Sequence, residues 1–266
     1  MTKILIGKPV AQKIYESLKI EGHSTMAAIL VGEDPASLLY VKVKEKRAQK
    51  LGIGFKLFHF SGIANENKIL ELIKELGENK SINGIIIQLP LPEEIDTDKI
   101  LRAIPEKKDI DGFSGRFTPP TVQAIIEILN YYHIEINNQK IVIVGFGRLV
   151  GQPISKLLKS RRITPIICSS TTRDLAEETI DADILISATG ESNLIKPNIV
   201  SEKTVVIDAG TAESRGEIAG DVHPKVYEKV AAYTPVPGGV GPVTVACLMR
   251  NLVEATKNFN TSTGLS

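Results

Sequence analysis

Continuous apolar runs alternate with amphipathic stretches along the first half of the chain. The apolar runs occupy residues 27–31, 55–60 and 84–87, and residues 36–51 and 65–76 carry apolar side chains at helical spacing. Apolar runs separated by helices are typical of strands that are buried on both faces in βα units. The pattern therefore predicts an α/β domain that is built on a parallel sheet.

A second α/β series follows Thr118-Pro119-Pro120, where a capping residue and a first-turn proline predict a helix over residues 122–129. Later runs predict further elements: strands at 141–144, 165–168, 184–186 and 204–207, and helices near 153–158 and from Arg173. This order predicts the doubly wound parallel sheet of nucleotide-binding domains. The fold class is α/β in two domains, a three-layer amino-terminal α/β domain and a Rossmann-type domain.

Composition and charge narrow the class of protein. The chain has 266 residues, of which 42% are hydrophobic and 24% are charged, and this is enough to bury a sizeable core and form two domains. The formal net charge is +1 and the basic residues are spread along the chain. Neither nucleic acid nor an anionic membrane is therefore an expected partner.

Cysteine usage and the apolar runs indicate where the protein works. Cys168 and Cys247 stand in apolar surroundings without paired zinc ligands, so we expect neither a disulfide framework nor a metal site. The first apolar stretch breaks at Gly7-Lys8-Pro9, too early for a signal-peptide core, and no later run is long enough to cross a bilayer. We expect a cytoplasmic protein.

A glycine cluster follows the predicted strand at residues 141–144. Gly145, Gly147 and Gly151 allow a tight turn and let a pyrophosphate approach backbone N–H groups at a helix amino end. The spacing is one residue longer than the commonest dinucleotide fingerprint, and a plain βα turn is the alternative. Further candidate cofactor contacts lie in this loop or follow a later strand: Phe146, Arg148, Thr189, Gly190, Gly210 and Thr211.

The segment after the second strand of this domain bears on the choice of dinucleotide. Residues 168–172 lack the acidic residue that binds a ribose 2′-hydroxyl in NAD sites. The hydroxyls at residues 169–172, which include the candidate contacts Ser170 and Thr172, favour a 2′-phosphate together with Arg148 or Arg173 close in sequence, so NADP is expected over NAD. Alternatively, Ser170 and Thr171 cap the helix that begins at Arg173.

One lysine lies on the apolar face of the helix predicted over residues 36–51. The residues of that face share one stripe of the helical wheel: Ser37, Val41, Lys44, Ala48 and Leu51, with Tyr40 beside Lys44. Burial would lower the pKa of Lys44 and leave a neutral amine that can take up a proton, while Tyr40 could wall the pocket and bond the amine. Alternatively, the methylenes of Lys44 cover apolar surface and its amine reaches water.

Two further polar residues end apolar segments. Gln88 follows the run at 84–87 and offers a donor and an acceptor, while Asp111 could accept two N–H bonds from the amidine-like edge of a ring such as a pterin. Strand ends that reach a crevice are where ligand groups usually sit. The alternatives are a turn-capping amide and an Asx turn before Gly112.

A Pro/Gly segment from Pro235 to Pro242 precedes a helical apolar run that starts at Thr244. Prolines fix its backbone and glycines remove bulk, so it suits a flat ligand that lies against main chain. The candidate contacts are Pro237, Gly238, Gly239 and Val240. An ordinary turn before a terminal helix is the alternative.

Together these residues resemble the bifunctional methylenetetrahydrofolate dehydrogenase/cyclohydrolase family. The matching stretches lie in family order at residues 31–37, 40–46, 88–92, 108–113, 150–153, 220–222 and 234–244. The resemblance implies a folate-binding catalytic domain at 1–117 completed by a helix at 243–260, a NAD(P)-binding domain at 118–242, and a flexible tail at 261–266. It also implies a folate cleft between the domains and a homodimer.

The family transfers a hydride from 5,10-methylenetetrahydrofolate to NADP and then adds water to the methenyl product, which gives 10-formyltetrahydrofolate. By resemblance, Lys44 is the catalytic lysine, Tyr40 the stacking and hydrogen-bonding tyrosine, Gln88 the partner of the lysine, and Asp111 the pterin anchor. Residues 237–240 would line the cleft. One-carbon derivatives of tetrahydrofolate are then the expected substrates, with NADP, or NAD, as cofactor and no metal.

The chain also departs from the family pattern. After residue 113 the usual His-Pro and the loop that follows it are missing. Phe146 replaces an arginine that contacts the NADP 2′-phosphate, and Ser169 replaces a histidine, so Arg148 and Arg173 are the replacement candidates.

Two other functions are open alternatives. A related two-domain dehydrogenase of a small hydroxy acid could also use a lysine and an aspartate, and a non-enzymatic protein could bind folate or nucleotide as a sensor. Tyr40 and Lys44 together with the Pro/Gly segment oppose the first alternative. The retention of Lys44, Gln88 and Asp111 opposes the second.

Overall fold

The computed structural model describes residues 2–20, 22–60, 65–210, 212–214 and 217–263, and the chain divides into two units, each with its own parallel sheet. The three-stranded unit comprises Ile14–Pro120 with Leu248–Ser266, and the six-stranded unit comprises Met1–Lys13 with Thr121–Cys247. Both are built on parallel sheets, so the predicted α/β class with two domains is confirmed.

The described residues form helices and strands that alternate along most of the chain. In chain order these are β1 (Lys3–Ile4), α1 (Gly7–Ser17), β2 (Thr25–Val31), α2 (Pro35–Lys50), β3 (Gly54–Phe60), α3 (Glu66–Glu78), β4 (Gly84–Ile87), α4 (Thr97–Ala103), α5 (Pro120–Tyr131), β5 (Ile141–Val144), α6 (Gly151–Ser160), β6 (Ile166–Cys168), α7 (Leu175–Thr179), β7 (Ile184–Ser187), β8 (Val205–Asp208), β9 (Ala212–Ser214), β10 (Glu217–Ala219), β11 (Ala232–Tyr233) and α8 (Val240–Thr263). Two short 3-10 helices lie at Pro197–Ile199 and Pro224–Val226.

The sheet of the three-stranded unit has the order β3-β2-β4. Ala28 of β2 is paired with Leu57 of β3 and with Ile86 of β4. β4 is buried along its whole length and β2 from Met26 onward, as their continuous apolar runs predict. The apolar faces of α3 and α4 pack against one side of this sheet and form its core. The sheet thereby gives rigid support to the residues at the end of β4.

The sheet of the six-stranded unit has the order β1-β11-β8-β7-β5-β6, with every pair parallel. The strand order reverses at β5, because β6 lies on one side of it and β7 on the other. Ligands of doubly wound sheets bind outside the carboxyl ends of the strands at such a reversal. The loop that leaves β5 therefore occupies the expected nucleotide-binding position.

The amino terminus joins the six-stranded unit. Lys3 of β1 is paired with Ala232 of β11, so residues 1–13 group with this unit, whereas the sequence prediction placed residues 1–117 in a single domain. A strand of two residues has no apolar run or period that could mark it in the sequence. The division between the units also falls within α8, after Cys247, rather than before the helix.

One helix begins later than predicted. α7 begins at Leu175, and the side chain of Asp174 caps it by accepting hydrogen bonds from the N–H groups of Ala176 and Glu177. The interpretation of Ser170 and Thr171 as caps of a helix from Arg173 is therefore wrong.

Among the described residues, the helices are too short or too polar to cross a bilayer.

Candidate active site

Helix α2 carries Lys44 into the three-stranded unit. The helix begins at Pro35, and the Asp34 carboxylate caps it by accepting the Ser37 N–H at 2.7 Å. Hydrogen bonds from the Ser37 side chain and from the Ser37 N–H lower the pKa of Asp34. The buried residues of α2 are Ser37, Val41 and Ala48, which belong to the stripe that contains Lys44. Lys44 is itself half-buried, and so is Tyr40, one helical turn earlier.

The Lys44 amine donates a hydrogen bond to Gln88, the first residue after β4. The distance between Lys44 Nζ and Gln88 Oε1 is 3.1 Å. Gln88 is buried, and its Nε2 donates to the backbone oxygen of Leu89 at 2.8 Å, which fixes the amide with its oxygen toward the lysine. The amide thus caps the local backbone, as the alternative interpretation held, and also contacts the lysine.

Burial shifts the pKa values of Lys44 and Asp111 in the directions that favour the neutral form of each side chain. Desolvation lowers the pKa of Lys44, and the charge of Asp111 opposes this only in part. The pKa of Asp111 is raised to about 6, chiefly by burial and further by the charge of Asp109, while the lysine charge works against the rise. A lysine and a carboxyl group therefore stand close enough to influence each other within one partly desolvated site.

Asp111 is not used by the turn in which it lies. The Asx turn before Gly112 is made by Asp109, whose carboxylate accepts the N–H groups of Gly112 and Ser114. Gly112 has φ +80° and packs against the backbone of Phe117, so this turn requires glycine. The interpretation of Asp111 as the Asx-turn residue before Gly112 is therefore wrong, because Asp109 supplies that turn.

Asn251 holds the segment that carries Asp111 and was missed from the sequence. Its Nδ2 donates to the backbone oxygens of Ile110 at 2.8 Å and Thr118 at 3.1 Å. The signal was present, because Asn251 is a polar residue within the buried apolar stripe of α8, just as Lys44 lies in that of α2.

The glycine cluster forms the turn between β5 and α6. Gly145 has φ +97°, and a Cβ there would stand 2.5 Å from the Ala188 oxygen, while a Cβ at Gly151 would overlap the Gly145 oxygen. Gly147 faces open space. α6 begins at Gly151, and its N-cap residue Val150 makes no side-chain hydrogen bond to it. In the first turn of the helix, the Gln152 N–H donates to the Gly147 oxygen at 3.0 Å and Pro153 has no N–H. Phe146 is exposed within this turn.

The other predicted cofactor contacts lie at the carboxyl ends of neighbouring strands. Thr189 and Gly190 follow β7, and Gly210 follows β8, while Thr211 lies outside the described residues. After β6, the Ser169 N–H donates to Thr172 Oγ1 at 2.9 Å, whereas Ser170 is exposed. Arg148 and Arg173 are also exposed.

The Pro/Gly segment is fixed by its own backbone and by the amino terminus. Gly238 has φ +108°, and its oxygen accepts the Gly7 N–H at 2.8 Å. The Gly239 N–H donates to the Pro235 oxygen at 2.7 Å, and a Cβ at Gly239 would stand 2.6 Å from that same oxygen. The segment runs directly into α8 at Val240. Glycine is therefore required at 239 by close packing and at 238 by the positive φ.

Two family models match the chain. Residues 5–111 match the tetrahydrofolate dehydrogenase/cyclohydrolase catalytic domain, and residues 119–260 match the NAD(P)-binding domain of the same family. The bifunctional protein FolD of Aquifex aeolicus is 40% identical over 97% of this chain and 96% of its own. The chain belongs to the tetrahydrofolate dehydrogenase/cyclohydrolase family.

Solved structures of the tetrahydrofolate dehydrogenase/cyclohydrolase family share the fold. The bifunctional FolD methylenetetrahydrofolate dehydrogenase/cyclohydrolase of Campylobacter jejuni is similar with a TM-score of 0.90 and 37% identity, over 97% of this chain and 99% of that one. The Trypanosoma brucei enzyme, described as complexed with NADP cofactor and inhibitor, has a TM-score of 0.87 and 28% identity, over 95% of each chain.

The segment after Phe113 closes as a tight turn. The Ser114 N–H donates to the Asp109 carboxylate, and Gly115, at φ +85°, donates its N–H to the Gly112 oxygen at 3.3 Å.

Within the described ranges, no group of three or more His, Cys, Asp or Glu side chains is arranged to hold a metal ion.

Proposed function

We propose that this chain oxidises 5,10-methylenetetrahydrofolate to the methenyl derivative with NADP or NAD and then hydrolyses that product to 10-formyltetrahydrofolate. The observation that carries the proposal is the Lys44–Gln88 hydrogen bond beside Asp111, in the part of the chain that matches the family's catalytic domain. The match of residues 119–260 to the NAD(P)-binding domain supports the choice of hydride acceptor.

Lys44 acts in the second reaction. Loss of hydride leaves a cationic methenyl carbon, and a water molecule that attacks this carbon must give up a proton. The hydroxyl of the resulting adduct then loses its proton and becomes the carbonyl. The C–N bond to one folate nitrogen breaks as its electron pair goes to that nitrogen, which takes up a proton, and the formyl group remains on the other nitrogen. A protonated lysine would repel the cationic carbon, whereas a neutral amine can accept the proton. Because burial lowers the pKa of Lys44, the site favours the neutral form.

Gln88 and Asp111 orient the reacting groups. Gln88 Oε1 accepts from the lysine, which directs the amine and leaves its nitrogen lone pair free for the proton. The Asp111 carboxylate, when ionised, accepts two N–H bonds from the amidine-like edge of the pterin. We assign Tyr40 to stacking on the pterin, and residues 237–240 to backbone contact with the folate.

The dinucleotide supplies a hydride acceptor when it is bound. The turn at Gly145, Gly147 and Gly151 fits its pyrophosphate, because tight packing holds the turn and the amino end of α6 has no side-chain cap. We assign further contacts to the residues that follow β5, β6, β7 and β8: Phe146, Arg148, Ser170, Thr172, Thr189, Gly190, Gly210 and Thr211.

NADP is the proposed cofactor, with Arg148 and Arg173 as partners of its 2′-phosphate, since both are exposed near the hydroxyl-rich segment that follows β6. Replacing both arginines by alanine is expected to raise the Michaelis constant for NADP about tenfold, as loss of a charge-assisted contact does, while leaving that for NAD unchanged. Initial rates with each dinucleotide measure this. An unchanged constant for NADP would remove both arginines from the site.

We also propose that the protein works in the cytoplasm as a homodimer. Cys168 and Cys247 are not joined in a disulfide, which fits a reducing compartment. Light scattering after gel filtration measures the dimer, and a monomeric mass at enzymatic concentrations would refute it.

The function is tested by following methylenetetrahydrofolate oxidation by absorbance with NAD and NADP in parallel, and then the decay of the methenyl product. The proposal predicts both phases. Turnover of a small hydroxy acid instead would favour the alternative dehydrogenase, and folate binding without turnover would favour a sensor.

A further inference from the structure

Asp221 joins the ends of several strands in the six-stranded unit. It lies two residues after β10 and is completely buried. Its Oδ2 accepts a hydrogen bond from Ser187 Oγ and another from the Thr189 N–H, each at 2.7 Å. Ser187 ends β7 and Thr189 lies in the loop that leaves it, so one carboxylate oxygen holds the strand end and the loop together.

The other oxygen of Asp221 lies against the loop that follows β8. A Cβ at Gly210 would overlap Asp221 Oδ1, so the Gly210 backbone passes directly beside the carboxylate. The Gly210 N–H donates to Asp208 Oδ1 at 3.0 Å, and the Asp221 N–H donates to that same oxygen at 3.2 Å. The loops after β7 and β8 are therefore packed around Asp221.

These loops meet the glycine turn at the carboxyl edge of the sheet. A Cβ at Gly145 would stand 2.5 Å from the Ala188 oxygen, so the turn after β5 rests on the backbone just before Thr189. The strand order reverses between β6 and β7 around β5, and nucleotides bind at this edge. A displacement of Thr189 would therefore reach the turn that receives the pyrophosphate.

The way in which Asp221 is bonded favours positioning over stabilisation. Within the described part of the chain, its Oδ1 is buried and has no hydrogen-bond partner. Leaving a buried polar atom without a partner costs free energy, so an apolar residue would serve better if this position only had to fill the core. The backbone of Asp221 is held on both its N–H and its carbonyl group. Its N–H donates to Asp208 Oδ1, and its backbone oxygen accepts the Ile195 N–H at 2.9 Å.

From this geometry we infer that Asp221 is a positioning residue for the dinucleotide: its carboxylate sets the loops after β7 and β8 against the glycine turn without touching the cofactor. The inference rests on the proposed use of a dinucleotide. The predicted cofactor residues were all expected to touch the dinucleotide, whereas Asp221 acts on it only through the loops that it holds.

The test compares three variants of the full chain by calorimetric titration with NADP and with NAD. Asp221→Ala removes both hydrogen bonds of the carboxylate, whereas Asp221→Asn keeps an acceptor oxygen of the same shape. Asp183→Ala is the matched control, because Asp183 lies at the amino end of β7, the strand that Ser187 ends. The Asp183 carboxylate also has two partners: it accepts from the Lys140 N–H at 2.8 Å and from Lys203 Nζ at 3.0 Å. Thermal unfolding of each variant measures the structural cost.

The expected result is a dissociation constant for the dinucleotide about tenfold higher in Asp221→Ala, with most of the loss recovered in Asp221→Asn and no change in Asp183→Ala. Cyclohydrolase activity, assayed without dinucleotide, should be lowered far less than dehydrogenase activity. If Asp221→Ala does not fold, Ser187→Ala removes one partner of the carboxylate and is expected to raise the constant severalfold.

Equal dinucleotide affinity in wild type and Asp221→Ala would overturn the inference, and so would an equal loss in Asp183→Ala. Equal affinity in wild type and Ser187→Ala would overturn it if the alanine variant at 221 does not fold. A wild-type protein that binds neither NADP nor NAD would instead refute the proposed function, so the two failures are distinguishable.

Discussion

Lys44 and Asp111 carry opposite charges when ionised, and burial favours the neutral form of each side chain. The pKa of Lys44 is lowered by desolvation, and the pKa of Asp111 is raised to about 6 by the same cause. Near pH 7 the carboxyl is still mostly ionised, so it can accept N–H bonds from a ligand while the amine is biased to lose its proton. In the proposed mechanism, one desolvated site thus supplies both an anchor and a base.

The ionisation of Asp111 predicts a pH dependence of folate affinity. Only the carboxylate can accept two N–H bonds, and the group becomes protonated as the pH falls through about 6. The Michaelis constant for methylenetetrahydrofolate should therefore rise by up to about tenfold per pH unit below that value. Initial rates from about pH 5 to 8 measure it.

Asp111→Asn is the control for this prediction. The amide can accept only through one oxygen and does not titrate, so its Michaelis constant should be higher at every pH and should not change through pH 6. If wild type and Asp111→Asn gave parallel pH profiles, Asp111 would not be the anchor.

At the scale of elements, the sequence predicted what a long apolar run or a helical period can show. β2, β4 and β5 were predicted within two residues of their observed bounds, because buried parallel strands are continuously apolar. β1 and β11 have two residues each and were missed, since so short a segment has no period. They are defined by their partners in the sheet, which sequence order does not reveal.

For the site residues too, the sequence revealed those that a local pattern marks and missed those that depend on contacts between distant parts of the chain. Lys44 was placed on the buried face of α2 because its stripe is read from spacing within one helix. The role of Asp221 depends on Ser187 and Thr189, which are 34 and 32 positions away in the chain. No local pattern encodes such contacts, so the residue appeared in the sequence only as part of a matched stretch.

Two glycines of the turn after β5 provide a matched pair of substitutions. In Gly151→Ala the new Cβ would overlap the Gly145 oxygen, whereas in Gly147→Ala it would meet open space. We expect Gly151→Ala to lower the free energy of unfolding by about 2 kcal/mol or more and Gly147→Ala to change it by less than about 0.5 kcal/mol. Urea unfolding measures both variants, and equal midpoints would show that packing does not determine this turn.

At the scale of the whole molecule, two models of a single family match successive parts of the chain. The catalytic-domain match ends at residue 111 and the NAD(P)-binding match begins at 119, so each reaction component has its own section of the chain. The turn after Phe113 lies between them in sequence. Both activities are therefore expected in one polypeptide, and each can be measured separately.

The most direct test of the account measures cyclohydrolase and dehydrogenase rates in Lys44→Met, with Lys42→Met as the control because Lys42 is exposed on the same helix. Loss of a general base should lower the cyclohydrolase rate about a hundredfold or more, with a smaller effect on hydride transfer, which needs no base. Thermal unfolding should show no loss of stability, because burial disfavours the lysine charge. A Lys44→Met protein with normal cyclohydrolase turnover would contradict the account.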